Sequence, residues 1–328
     1  MYFMKLKKIT LFFIALFLLQ ANIVFAKKPP TQPDTYNGTA PMARSMAMGG
    51  AGAAIVLSQE SFYYNSANLS YMSGAHIGAG VIVSRDSNAS PVQVAIADPS
   101  GQGLMSAYAI KDKGAFYWQS LSDSKISYGN NKIETNINAL GFAAGKKSEN
   151  GFSLGLNLNY LYGKIGESGI DGSIPYANIA SGNGFSMDMS ILYPAGKNVY
   201  FGMNFKNIAG FMFWDNYNTE QLPFSIRTGI AYLLEAFTLA IDLDRKFYRF
   251  GDLEEQYYCI GAEQYISGAF CVRGGVTADS GFNSDKMKYT YGFGIKLNTY
   301  EIAFAGEQSK IDNEQFLKYM VSLSASVY

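Results

Sequence analysis

The feature that most constrains this chain is a repeated alternation of side-chain character with a period of two. Leu154, Leu156, Leu158, Tyr160 and Tyr162 share one parity, while Gly155, Asn157 and Asn159 share the other. Val199, Phe201, Met203 and Phe205 alternate with Tyr200, Gly202, Asn204 and Lys206, and Phe237, Leu239, Ile241 and Leu243 with Thr238, Ala240, Asp242 and Asp244. Tyr289, Tyr291, Phe293, Ile295 and Leu297 repeat the pattern against Lys288, Thr290, Gly292, Gly294 and Lys296. Period two sends successive side chains to opposite faces of a strand, so these segments are strands with one apolar face.

Alternation alone fits either a soluble sandwich, whose second face meets water outside, or a membrane barrel, whose second face lines a lumen. Turn spacing separates them. Fourteen strands are predicted near 74–86, 103–111, 114–122, 133–146, 151–166, 183–194, 197–208, 222–234, 236–248, 255–266, 269–278, 286–297, 300–308 and 316–328, with twelve as the alternative count. Longer connections fall at 87–102, 122–131, 168–182, 209–221, 251–255, 279–285 and 311–315. Shorter ones centre on Asp112-Lys113, Lys147–Asn150, Ala195-Gly196, Glu235, Ser267-Gly268 and Asn298-Thr299. Long connections on one rim and tight turns on the other are the pattern of outer-membrane barrels. The expected fold is an all-β transmembrane antiparallel barrel. Tyr328 supplies a terminal aromatic, but its parity opposes the apolar set Tyr319, Val321, Leu323, Ala325 and Val327, so either a bulge shifts the register or this ring points inward.

The start of the chain agrees with that destination. Lys5, Lys7 and Lys8 precede the apolar run Ile9–Leu19, and Val24-Phe25-Ala26 offers a cleavage point, so residues 1–26 read as a secretory signal peptide. An uncleaved anchor is the alternative. Residues 27–40 read as a periplasmic linker, 41–73 as a segment preceding the wall, and 74–328 as the barrel. After the leader, no run of about 18 apolar residues exists to form a membrane helix.

Composition removes several function classes. Lys+Arg and Asp+Glu number 26 each, which leaves no basic field for nucleic acid. One histidine and two cysteines leave metal and triad chemistries short of parts, so no catalytic residue, metal or cofactor is implied. Cys259 and Cys271 sit several residues out of register across the turn at Ser267-Gly268, which favours free thiols over a bridge. The 24 Tyr, 23 Phe and 34 Gly fit a barrel with aromatics toward lipid and at the rims, and glycines toward the lumen. On lumen parity lie His76 and charges of both signs: Asp188, Lys206, Arg227, Asp242, Asp244, Glu263, Arg273, Lys288, Lys296, Glu301 and Glu307. Mixed signs suggest pairs bracing a plug rather than an ion-selective ring.

Residues 41–80 carry Ala43-Arg44, then Met48-Gly49-Gly50-Ala51-Gly52, then Tyr64-Asn65-Ser66-Ala67-Asn68-Leu69. This run resembles the N-terminal region of the long-chain fatty-acid transporter superfamily of outer-membrane β-barrels, including its smaller type IX secretion shuttle relatives. Ser66 and Asn68 stand where that pattern has Pro and Gly. The resemblance implies a hatch folded into the lumen, with Met48, Gly49, Gly50, Gly52, Asn65, Ala67 and Leu69 as its marked positions. Packing of the glycines against the wall and direct ligand contact both remain open. The resemblance further implies passive transport of hydrophobic, fatty-acid-like molecules across a Gram-negative-type outer membrane. Outer-membrane lipid and the barrel assembly machinery would be its partners, hydrophobic small molecules its cargo. A barrel that binds secreted proteins, or a structural barrel without cargo, is the alternative. Phe211, Met212, Phe213 and Trp214 fall in the expected external loop 209–221, where four bulky apolar residues mark either a ligand contact or an interfacial anchor.

Overall fold

The computed structural model describes residues 40–85, 104–128, 131–171, 174–249, 252–284, 287–311 and 314–327. The leader, nearly all of the linker, the 87–102 connection and Tyr328 lie outside them. The chain forms β1 (Ala75–Arg85), β2 (Leu104–Lys111), β3 (Gly114–Tyr128), β4 (Asn131–Lys147), β5 (Ser153–Asp171), β6 (Ile174–Pro194), β7 (Val199–Trp214), the two-residue β8 (Glu220–Gln221), β9 (Phe224–Leu233), β10 (Phe237–Arg249), β11 (Asp252–Tyr265), β12 (Phe270–Asp279), β13 (Lys288–Leu297), β14 (Tyr300–Ile311) and β15 (Glu314–Val327). Neighbours in sequence pair antiparallel, β6 pairs with β7, and β1 pairs with β15 from Ala75↔Val327 to Arg85↔Leu317. Because β8 only continues the line of β9 along β7, the ring is a closed barrel of fourteen strands.

Outward parity on these strands is apolar throughout: Phe116, Phe142, Leu156, Leu158, Ile230, Ile241, Ile260, Phe293 and Leu323 are all exposed. An apolar surface running around the whole ring is unstable in water and stable against acyl chains. No helix among the described residues is long and apolar enough to cross a membrane. The rim carrying the short turns is here the lower rim. Its two-residue turns place Asp112 and Asn298 at φ of 52° and 53°, a left-handed conformation that these two residue types tolerate best after glycine.

The upper rim departs from the sequence expectation. Segments 122–131, 168–182 and the first part of 209–221 are largely strand: β5 and β6 run 19 and 21 residues and stay paired from Ser153↔Leu192 to Asp171↔Ile174. About ten residues suffice to span a bilayer, so the excess pairs in water. There the outward face mixes Lys164, Gly166 and Ser168 with scattered Ile170 and Ile179, so the apolar alternation that announces a strand breaks up although the backbone ladder continues. Segments 251–255 and 311–315 are likewise mostly strand.

Segment 40–73 lies inside the ring. It includes a short helix α1 (Ala43–Ala47) and 3-10 turns at Ser61–Tyr63 and Ser66–Tyr71. Its residues bond inward side chains on opposite sides of the barrel, Ser190 on β6 and Ser322 on β15 among them, which only an enclosed segment can do. Cys259 and Cys271 are free and buried, facing Thr277 and Tyr265 respectively across the β11–β12 ladder.

Candidate functional site

The lumen holds two regions of different chemistry. In the lower one, wall glycines admit the hatch backbone. Side chains added at Gly202, Gly261 and Gly275 would collide with Ala53 O, Met48 O and Gly49 N, so the absence of a Cβ is what lets the two chains touch. Gly49 and Gly50 turn with φ of 63° and 75°. The carbonyls thus exposed are taken by the wall: Thr290 Oγ1 donates to Ala47 O at 3.0 Å, Thr277 Oγ1 to Gly49 O at 2.7 Å and Arg227 to Gly50 O at 2.7 Å. In return Asp242 accepts from the amides of Gly52 and Ala53 at 2.8 and 2.9 Å. Backbone without regular pairing is tolerable in a buried lumen only because each of these groups finds a partner.

Ion pairs fasten the same region. Arg44 on α1 donates twice to Glu263, at 2.9 and 2.7 Å. Arg273 donates to Glu263 at 2.6 Å and to Glu301 at 2.7 Å. Arg227 donates to Asp244 at 2.7 Å. Glu60 of the hatch accepts from Ser45 Oγ at 2.7 Å; burial pushes its carboxyl above the ordinary range, against the opposing pull of Arg44. Burial also disfavours the charge on Arg44, but Glu263 more than offsets it and holds the guanidinium firmly protonated.

The second 3-10 turn is pinned by Asn65. This fully buried side chain donates to Ala53 O at 2.6 Å and Ile191 O at 2.8 Å, and accepts from Ala67 N at 3.0 Å. Ser66, one of the two departures from the family pattern, bonds Ser190 Oγ at 2.7 Å. Of the marked hatch positions, Met48, Gly49, Gly52, Asn65, Ala67 and Leu69 are buried and Gly50 is half-buried. Sequence reasoning passed over Phe62 and Tyr63, which stack at 4.2 Å and meet Tyr108 and Tyr117 of the wall at centroid distances from 5.2 to 6.4 Å. Their spacing in the hatch carries no period that would flag them. Parity correctly placed Asp188, Arg227, Asp242, Asp244, Glu263 and Arg273 inside, whereas Lys288 and Lys296 are exposed near the rims. His76 contacts Ser326 Oγ and Ser73 O at 3.0 and 2.8 Å, a hydrogen-bonded wall residue.

Above the hatch the lumen turns apolar. Ile137 and Ala139 of β4, Leu161 and Ile165 of β5, Ala180 of β6, and Met212 and Trp214 of β7 pack together, and Tyr217 and Leu222 from the 215–223 connection close over them. The expectation of an external loop at Phe211–Trp214 is thereby corrected: all four residues lie on β7. Strand alternation sends Met212 and Trp214 inward to full or near-full burial, and leaves Phe213 exposed toward the outside beside Phe185. Continuing the inward parity of Gly202 and Asn204 through Gly210 would have found this. Asn207, at φ 55°, marks an irregularity where the β6–β7 register shifts by two residues, which preserves the parity beyond it. Its amide donates to Asp188 at 2.8 Å and its side chain to Pro223 O at 2.8 Å, which anchors one end of the 215–223 connection. Trp214 Nε1 donates to Glu220 at 3.0 Å and anchors the other.

Across β2–β7 the wall carries a recess of about 900 Å³, whose sides include Phe116, Leu140, Phe142, Tyr160 and Phe185 and whose lining also includes Tyr108, Tyr117 and Asn159. Tyr117 lies over Gly141, so this aromatic ring and a glycine backbone share the thickness of the wall there.

No family model matches the chain, and no curated protein matches it. Solved structures do. The chain is similar to the Ralstonia pickettii toluene transporter TbuX (14% identity, TM-score 0.66) and to the CymD monoaromatic hydrocarbon channel (13%, 0.67), each over 89% of this chain and 99% of the other. A Pseudomonas aeruginosa FadL homologue aligns at 10% identity and a TM-score of 0.57, over 88% of this chain and 99% of its own. With the closed fourteen-strand wall and the enclosed N-terminal segment, this likeness shows that the chain has the fold of the FadL-type hydrocarbon-transporting barrels.

Proposed function

We propose that this chain is an outer-membrane barrel that passes hydrophobic small molecules by passive transport. The observation that carries this reading is the apolar inward face formed by Met212, Trp214, Leu161 and Ile165, packed together inside the wall. A water-filled porin lines its lumen with polar groups, whereas the upper lumen here is built like a protein core. The hatch fills the lower lumen with paired polar groups, so cargo crossing the barrel needs a shift of the hatch or the wall. The names of the similar structures, toluene transporters and hydrocarbon channels among them, agree with this reading. The all-round apolar outer belt supports a place in the outer membrane, with the short-turn rim toward the periplasm.

The test compares uptake of radiolabelled decane by cells producing the chain with uptake by empty-vector cells. Production should raise the rate. Leu161→Asp, which puts a carboxylate into the apolar upper lumen, should return uptake to background while the protein keeps its heat-modifiable band in SDS. Equal uptake with and without the protein would refute transport. A second reading, a barrel that docks a secreted protein, draws on the lengths of β5 and β6, whose paired ends project well past a bilayer. Recovery of one stoichiometric protein partner with the purified barrel would favour it.

A further inference from the structure

The outward face of the wall carries a feature that passage through the lumen does not use. On the β2–β5 flank, register sets the outward residues in rows. Ala107, Trp118, Leu140 and Tyr160 form one row, and Ala109, Phe116, Phe142 and Leu158 form the row below it. All eight line the recess of about 900 Å³. The surface there is uneven because small side chains on β2 stand beside large ones on β3 and β4, where Phe116 and Phe142 meet at a centroid distance of 5.0 Å. A chain laid against such a surface makes more close contacts than it would on an even one.

The recess has a charged lower end. The next outward row is Lys111, Gly114, Ala144 and Leu156, and Lys146 lies one outward step below Ala144. Between the recess and the lysines the way is open, since a Cβ built on Gly114 would meet nothing closer than 3.7 Å. Lys113 belongs to the same patch, because its carbonyl accepts from Gly145 N at 2.9 Å and so ties the β2–β3 turn to the end of β4. Lys111, Lys113 and Lys146 are exposed, and none of them has an ion pair among the described residues. Lys147 sits over the Tyr71 ring at 4.0 Å. The two turns carry these four lysines against two acids, Asp112 and Glu149, and the Asp112 carboxylate accepts from Gly74 N at 3.2 Å. On the opposite flank, the short turns at 234–236 and 266–269 contain no lysine. The positive charge is therefore local to the foot of the recess.

Apolar surface alone takes any acyl chain, but an apolar recess that ends in cations at the rim gives its occupant a direction. The head must be anionic and lie at the short-turn rim, where the bilayer interface falls, and the tail must run up the wall. We propose that this flank seats an anionic diacyl phospholipid of the leaflet at the short-turn rim, with its phosphate on Lys111, Lys113 and Lys146 and an acyl chain in the recess.

The full chain carrying Trp214→Phe keeps Trp118, on the upper row of the recess, as its one indole. It is reconstituted into phosphatidylcholine vesicles in which a rising fraction of the lipid carries bromine at mid-chain, either as phosphatidylglycerol or as phosphatidylcholine. Bromine quenches an indole on contact. Half-maximal quenching should need an at least about five-fold lower mole fraction of brominated phosphatidylglycerol than of brominated phosphatidylcholine. Raising NaCl to about 1 M, where the screening length is about 3 Å, should narrow that gap in the same protein. Lys111→Gln with Lys146→Gln should bring the two curves to within about two-fold. Ala109→Phe, which fills the recess and keeps every lysine, should do the same. Coincident curves before any further substitution overturn the site. A gap that survives Ala109→Phe also overturns it, because the lysines would then attract a charged bilayer without seating a chain.

Discussion

The lower and upper halves of the lumen are built by the same strands, yet one is filled by hydrogen-bonded backbone and ion pairs and the other by aliphatic and aromatic side chains. β5 shows the change within a single strand: Ser153, Gly155, Asn157 and Asn159 face inward below, Leu161 and Ile165 above. β4 does the same, with Gly145, Ala143 and Gly141 below and Ala139 and Ile137 above. The inward face of each strand therefore matches what lies opposite it. Where a chain segment must be held, the wall supplies missing side chains, hydroxyls and charges; where no segment lies, it supplies apolar surface.

That contrast is broken most severely at the glycine contacts. Gly261→Val would drive a side chain into Met48 O, with no flexible partner to yield, and is expected to cost more than about 3 kcal/mol, the upper end of overpacking. The folded, heat-modifiable band in SDS should disappear. Arg44→Met should come next. It leaves Glu263 buried with Arg273 as its remaining base, for a loss near 3 kcal/mol, read as a lower denaturant midpoint in detergent micelles. In the upper half, Met212→Ala removes a fully buried side chain from the apolar cluster and should cost about 2 kcal/mol. Because hatch contacts are untouched, limited proteolysis should show the hatch still protected; loss of that protection would mean that the two halves are one cooperative unit.

The smallest effect concerns Glu60. Its folded carboxyl is raised by burial, so folding favours the protonated form. The associated stabilisation is complete below the unfolded carboxyl pKa of about 4.3 and is lost as pH rises through the folded value. The thermal midpoint of the native protein should fall as the pH rises above about 4, and Glu60→Gln should flatten that slope. An unchanged slope would move the pH dependence to another group.

Much of this was legible in the sequence because a barrel wall is a periodic object. Parity alone assigned Phe293 and Leu323 to lipid, and Asp242 and Glu263 to the lumen. What parity cannot give is register: that Glu263 faces Arg273 and reaches Arg44, more than two hundred residues earlier, follows only from the paired ladder. The upper strands were misread for a different reason. Beyond the bilayer nothing forces one face to be apolar, so this stretch looks like a loop while Ser168–Asp171 and Ile174–Ser181 are paired strand. The apolar upper lumen was half seen: the Phe211–Trp214 cluster stood out by composition, but its division into inward Met212 and Trp214 and outward Phe213 required the strand to continue past Asn207.

The seam between β1 and β15 constrains how the barrel closes. The hatch runs directly into β1, and β15, at the other end of the described strand series, is the strand that pairs with it. Once that seam has formed, the hatch is surrounded by hydrogen-bonded wall, and opposite sides of the ring hold it by Ser190 and Ser322. A plug of this kind cannot be loaded into a finished cylinder. It has to be wrapped, so a chain truncated before Glu314 would be an open ribbon that no longer encloses its plug.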